Sequence, residues 1–355
     1  MSPLIEPVLS RTAMEDAALR WRERSAQREA RLRLVRQGRY IEAEGIERLL
    51  ARMAYQGFDS ASLSELTDEG FISLQRETLA ADFLERAQRS SKAVGRVVVS
   101  SRHGVTKVGT GFMISPKLML TTSDVLPSAE AAEGAMFELG LPHALQPERY
   151  FYANHELGFT AVAIEGASSH WCKLAEQEIA TAIGHPVNLV HYPLGKEKEV
   201  IVRNTEVVDL LSEAVQYRGV TAPGSSGAPV FNDEWKVIAI QRTGIPRTDL
   251  RGNYMRRSSG IWEPGDDPAD LDWIANEGIA AWTILSRLRG AENHDLFAEM
   301  FEPIVVTEEV EEEPPIVETP APAPPPPAPA NTGTTIRLNI PLKITVEIDG
   351  TIGSL

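Results

Sequence analysis

The sequence predicts a mainly β protein with a helical N-terminal region, and three observations carry that reading. From about residue 93, short β-branched runs alternate with Gly, Pro, Asn and Ser: 96–100, 111–115, 118–122, 159–164, 187–192, 199–208 and 235–240. Many short strands at this spacing indicate an antiparallel barrel or sandwich. Residues 1–90 lack that texture and place apolar side chains at helical spacing instead. Near the C-terminus, an acidic and proline-rich tract gives way to one strictly alternating apolar run.

Within 1–90, Thr12 and Glu15 form a candidate capping box, and Ala and Arg then dominate until Gly38, a residue suited to a helix end. Ile46, Leu49, Leu50 and Met53 repeat at helical spacing before Gly57. A third series, Leu79, Phe83, Leu84 and Ala87, leads into the β region. The arginines of 20–39 lie among Glu15, Asp16, Glu23 and Glu29, which suits a solvated helix face, with a ligand-binding face as the alternative. The β region spans 93–290 and is expected to end in a helix over about 270–289, with Trp273, Ile274, Ile279 and Trp282 on its apolar side.

Residues 301–330 read as a disordered linker. Glutamate dominates 307–313, and nine prolines fall between 314 and 329. At roughly 3 Å per residue such a polyproline II spacer reaches on the order of 50 Å. In 331–355, Ile336, Leu338, Ile340, Leu342, Ile344, Val346 and Ile348 alternate with polar residues or Pro341, giving a strand with one apolar face. A lone strand of this kind must pack back on the chain, pair with a second copy through 336–348, or augment a partner's sheet.

Composition narrows the function classes. A formal net charge of −15 and a pI near 5.0 argue against nucleic acid as the default partner. With Cys172 as the single cysteine, no intrachain disulfide can form. Residues 1–35 hold no apolar run suited to a signal peptide or a membrane span, so a cytoplasmic location away from membranes is expected. Nothing in the sequence calls for a metal or another cofactor.

The stretch 221–231, TAPGSSGAPVF, places hydroxyls on a glycine-flanked turn that runs into an apolar strand. Gly224 and Gly227 let the backbone bend, and the N–H groups of Gly224 and Ser226 are candidates for an oxyanion site. On composition alone, Gly-Ser-Ser-Gly is also an ordinary turn.

Three segments together resemble trypsin-like serine proteases, particularly the bacterial glutamyl endopeptidase (V8-like) members. GTGFMIS at 109–115, followed by LMLTTSDVL at 118–126, is similar to the paired strands that carry their catalytic His. LGFTAVAI at 157–164 resembles the segment that carries their Asp. The Ser226 loop, followed by VIAIQRTGIP at 237–246, resembles the nucleophile loop and the strand lining the specificity pocket. The resemblance implies a chymotrypsin-like double barrel of two six-stranded sheets with a cleft between them. It also implies a nucleophile position at Ser226, an oxyanion hole at Gly224 and Ser226, and substrate contacts at Thr221, Gln241, Arg242 and Thr243.

The catalytic relay itself is broken in sequence. Asp124 occupies the His position and Gly158 the Asp position. A serine hydroxyl needs a base that is free at neutral pH yet strong enough to take its proton. An ordinary carboxylate is several pKa units too weak for that, and a glycine orients nothing. Gln241 stands where a glutamyl endopeptidase carries its acid-recognising His, although the neighbouring Arg242 can attract an acidic group. The expected function is therefore a catalytically impaired protease homologue that binds a peptide or protein ligand as a sensor or scaffold. The alternative is an active serine endopeptidase using Asp124 or His155 as base; His103, His143, His170, His185, His191 and His294 lack motif context. A third reading makes the chain an assembly module. Residues 82–86 and 272–279 also resemble bacterial multidomain proteins in which such a domain is joined to an effector.

Overall fold

The computed structural model describes residues 10–55, 79–101, 104–219 and 221–301. The expected linker and terminal strand, together with Gly57 and His103, lie outside these residues.

Four helices open the described chain: α1 (Arg11–Glu23), α2 (Ser25–Arg36), α3 (Tyr40–Glu44) and α4 (Ile46–Tyr55). The α1 cap is Ser10, whose hydroxyl accepts from the Ala13 amide; Thr12 lies already inside the first turn, and with Ala13 three residues after the cap the expected capping box does not form. Helix α5 (Phe83–Lys92) then leads into the sheets.

The first sheet contains β1 (Val94–Ser101), β2 (Gly104–Met113), β3 (Leu118–Thr122), β4 (Ala135–Leu139), β5 (Leu141–Ala144), β6 (Phe151–Asn154) and β7 (Phe159–Ala163). Their spatial order is β5-β4-β1-β2-β3-β7-β6. A short helix, α6 (Ala129–Glu133), bridges β3 and β4. The sheet curls until Leu145 bridges Ile164, so one edge approaches strand β7 without a closed ladder. It is a half-barrel of seven strands, not the six-stranded barrel the resemblance implied.

The second sheet is a closed six-stranded barrel, β10-β13-β12-β11-β8-β9. Its strands are β8 (Pro186–His191), β9 (Glu199–Leu210), β10 (Ala214–Tyr217), β11 (Pro229–Phe231), β12 (Val237–Pro246) and β13 (Trp273–Ala280). Strand β13 corrects the helix expected over 270–289: only Ala281–Arg289 (α7) is helical. Apolar spacing suggested one helix, but β13 is the strand that joins β10 to β12 and closes the ladder, and tertiary pairing overrides local periodicity. Helix α8 (His294–Glu299) follows, and Phe297 and Met300 pack with Ile284 and Leu288 on the core of the first sheet.

The N-terminal arginines have a use that neither sequence reading gave them. Arg24 makes two hydrogen bonds, 2.6 and 2.8 Å, to Asp209 on β9, a residue with no solvent exposure. Arg20 pairs in the same forked way with buried Glu277 on β13. A carboxylate without solvent needs such a partner, and a planar guanidinium matches it bidentately. Trp21, Leu32 and Val35 add apolar contacts to the barrel core.

Candidate functional site

The serine turn lies between the two sheets and is held from both. Gly224 has φ +94° and Gly227 φ +90°, conformations that side chains rarely adopt. A methyl group on Gly227 would sit 2.0 Å from the Thr110 carbonyl oxygen, so only glycine fits where the turn crosses β2. Thr110 donates its amide to the Ser226 carbonyl at 2.9 Å and its hydroxyl to the Gly224 carbonyl at 2.8 Å. From the other side, the Leu194 amide donates to the Pro223 carbonyl at 2.5 Å. A trans peptide carries its N–H opposite its C=O, so this bond turns the Gly224 N–H away from Leu194. Leu194 itself adopts φ +56° to reach that position.

Ser225 is braced as well. Its Oγ lies 2.8 Å from Nδ1 of His191, at the end of β8, and both residues are buried. Burial pushes the His191 pKa down, against a smaller upward pull from Glu199. His191 thus bonds to the residue beside the nucleophile position as a neutral ring, a role that nothing in the sequence signalled. Ser226 is almost buried, and its Oγ lies 3.5 Å from the Arg242 carbonyl.

The β3–β7 ladder brings the two relay positions together. Thr122 pairs with Phe159, and the Ser123 amide continues the ladder by donating to the Gly158 carbonyl at 2.9 Å. Asp124 and Gly158 therefore share one end of the half-barrel. Arg242 reaches them from the other sheet. It is the extra residue of a bulge in β12, where Gln241 pairs with Gly278 but Thr243 already pairs with Glu277. A bulge re-aims its residue out of the ladder. A Cβ on Gly158 would lie 2.5 Å from Cζ and from Nε of Arg242, so the guanidinium fills the space where the family's Asp would begin. Arg242 Nε is 4.0 Å from Asp124 Oδ2, an ion pair too long for a hydrogen bond, and both atoms are buried without a hydrogen-bond partner.

Beside the turn opens a cleft of about 460 Å³. Thr221, Gln241, Arg242 and Thr243, the expected substrate contacts, all line it, together with Gly224 and Ser226. Its polar floor is uncharged. Tyr217 donates its hydroxyl to Gln241 Oε1, Thr221 donates to Asn276 Oδ1 at 2.6 Å, and the Gln241 amide nitrogen lies 3.3 Å from Thr221 Oγ1. At the mouth stand Arg257 and Asp267. Asn276, Arg257 and Asp267 escaped the sequence reading because they come from β13 and the 247–272 loop, distant in the chain from any motif.

His155, the alternative base, is exposed on the turn between β6 and β7. Among the described residues, no group of three or more His, Cys, Asp or Glu is arranged to hold a metal ion. Also among the described residues, no helix is long and apolar enough to cross a membrane.

The sequence profile of the trypsin-like peptidase domain matches residues 109–240. The β region is therefore similar to a trypsin-like peptidase domain over those residues. The matched segment takes in Asp124, Gly158 and Ser226. An uncharacterized protein of Sinorhizobium fredii, y4fB, is 29% identical over 238 residues, covering 56% of this chain and 36% of that protein. The chain thus spans about a third of the length of that relative. Among solved structures, the active form of the Rv3671c protease from M. tuberculosis aligns at 13% identity with a TM-score of 0.42, over 59% of this chain and 86% of that one. The HtrA-type protease AlgW with a tripeptide aligns at 13% identity and 0.42, over 60% and 64%.

Proposed function

We propose that this trypsin-like domain is a pseudoprotease that binds a peptide in its cleft without cutting it, acting as a sensor or scaffold in the bacterial cytoplasm. The observation that carries the reading is Arg242. Its guanidinium stands over Gly158 and faces Asp124, so the relay space holds a fixed ion pair in place of an orienting carboxylate and a base. Guanidinium does not release its proton at physiological pH, and therefore cannot serve as the base.

The oxyanion turn supports binding. Its carbonyls and the Ser225 hydroxyl are held by Thr110, Leu194 and His191, which keeps the backbone set for a ligand oxygen. In an enzyme that preorganisation stabilises a transition state; without the relay it still offers hydrogen bonds to a bound carbonyl or carboxylate.

Labelling with a fluorophosphonate probe tests the proposal. The expected result is labelling no faster than that of Ser226→Ala. Rapid labelling that Ser226→Ala abolishes would sink the pseudoprotease reading in favour of a serine endopeptidase with Asp124 or His155 as base.

A further inference from the structure

Resting on the peptide-binding reading, we propose that the cleft is a site for the free C-terminal carboxylate of a peptide whose last side chain is uncharged and hydrogen-bonding. Three features of the cleft converge on this ligand.

The first is the set of charges. Among the described residues lining the cleft, the charged ones are Arg242, Arg257 and Asp267, and Arg242 is paired at 4.0 Å with Asp124, so the two arginines bring guanidinium donors rather than a net positive charge. Guanidinium groups carry only donors, so such a cleft favours a ligand group that carries only acceptors, as a carboxylate does. Arg242 adds an unmet requirement: its buried Nε has no hydrogen-bond acceptor, and Asp124 stands too far away to supply one. The exposed part of the Arg242 side chain, 18% of it, is what an incoming carboxylate can meet in the cleft.

The second is the turn. The Gly224 amide makes no hydrogen bond among the described residues, while the carbonyl of the same peptide unit is tied back to Leu194. An amide donating to a carboxylate forms a charge-assisted bond, roughly twice as strong as one to a neutral carbonyl. The turn sits at the head of the cleft, where a main-chain carboxyl group meets it while the side chain beside it enters the pocket.

The third is the pocket floor. Thr221, Gln241 and Asn276 line it with amides and a hydroxyl and no charge, and the buried Tyr217 hydroxyl holds Gln241 from behind. An acidic or basic side chain would be desolvated there without a counter-charge, whereas an amide or hydroxyl side chain finds partners. A carboxylate in the cleft has two sources, a chain end or an acidic side chain. The neutral floor places it at the chain end.

The test uses fluorescein-labelled octapeptides with the last four residues randomised, prepared as C-terminal acids and as carboxamides, and measured by fluorescence polarisation on the full chain. The best acid is then remade as its carboxamide, with two residues added after its end, and with Glu as the last residue of an amide-capped form. The expected result is at least about tenfold tighter binding of the acid than of the first two, with the Glu-amide form also weak. In Arg242→Gln the acid-to-amide ratio is expected to fall below about threefold while the carboxamide binds as it does to the parent chain, with a thermal melt confirming that the variant folds. Equal binding of acid and carboxamide overturns the inference while leaving peptide binding intact. Tight binding of the Glu-amide form assigns the carboxylate to a side chain and also overturns it. Failure of both pools to bind at millimolar concentration overturns it outright. Cleavage of any peptide by the unmodified chain counts instead against the pseudoprotease reading, and the acid–amide comparison is then made on Ser226→Ala.

Discussion

Restoring the relay tests whether Arg242 is part of its loss. The double substitution Asp124→His/Gly158→Asp supplies the family's base and its orienting carboxylate, but it leaves the guanidinium in place. A side chain at 158 begins 2.5 Å from Cζ of Arg242, so its carboxylate meets the guanidinium before it can meet an imidazole at 124. A carboxylate held by arginine forms a charge-assisted pair, and that pairing competes with orienting the histidine. The φ of +93° at Gly158 adds a backbone cost of about 1–2 kcal/mol for any other residue, least for Asp or Asn. Adding Arg242→Ser removes the competitor and opens the space. Because relay residues act as a unit, and losing it costs a well-studied protease roughly a millionfold in turnover, even a poorly aligned relay has a large range in which to register. The triple variant is expected to label with fluorophosphonate at least about a hundredfold faster than the double, with thermal melts confirming that both fold. Equal labelling of double and triple variants would refute the assignment of Arg242 as the obstruction.

Gly227→Ala is expected to cost more than about 3 kcal/mol or to prevent folding, because its methyl would lie 2.0 Å from a backbone oxygen. Gly260→Ala has a similar φ but nothing within 4 Å, and urea titration should find it only about 1–2 kcal/mol less stable. Arg24→Ala strands the buried Asp209 carboxylate; with Arg24 itself partly exposed and Arg31 nearby, a loss of about 2–4 kcal/mol is expected, and a loss under 1 would count against the pairing. His185 is half-buried, with Nε2 3.0 Å from the Arg52 guanidinium; desolvation first, and the Arg52 charge second, push its pKa down to about 3. Above pH 6.5 it is neutral in both folded and unfolded chains and contributes nothing. As pH falls from 6.5 toward 3, the unfolded chain takes up a proton that the folded chain refuses, so stability declines by up to about 1.4 kcal/mol per unit from this group. His185→Gln keeps an acceptor for Arg52, and chemical unfolding at several pH values should find a shallower decline; an unchanged slope would remove His185 as its source.

Much of the site was readable before any coordinates, and the unread part has a common cause. Gly224, Gly227 and Ser226 are legible because a tight turn writes its demands into adjacent residues. Asp124 and Gly158 are legible because strands on either side fix their positions. In the sequence Arg242 is legible only as an implied substrate contact beside Gln241, able to attract an acidic group. Its role depends on a bulge in β12 that turns it toward two residues 118 and 84 positions away, and no local pattern encodes that meeting. His191 was set aside for lack of motif context, yet it holds Ser225. The helix expected over 270–289 failed for a related reason: Trp273, Ile274, Ile279 and Trp282 match a helical face, while barrel closure and the pairing of Glu277 with Arg20 require a strand.

The arginine forks of α1 and α2 bear on how the protein can be divided. A truncated chain starting at β1 would contain every barrel strand and the whole cleft, but Asp209 and Glu277 would face an apolar barrel wall with no cation opposite. Such a fragment inherits two uncompensated charges and exposes the surface that Trp21 and Leu32 cover. The smallest piece that folds as it does here therefore begins upstream of Arg20, and a library of N-terminal deletions should lose soluble protein abruptly when that residue is removed.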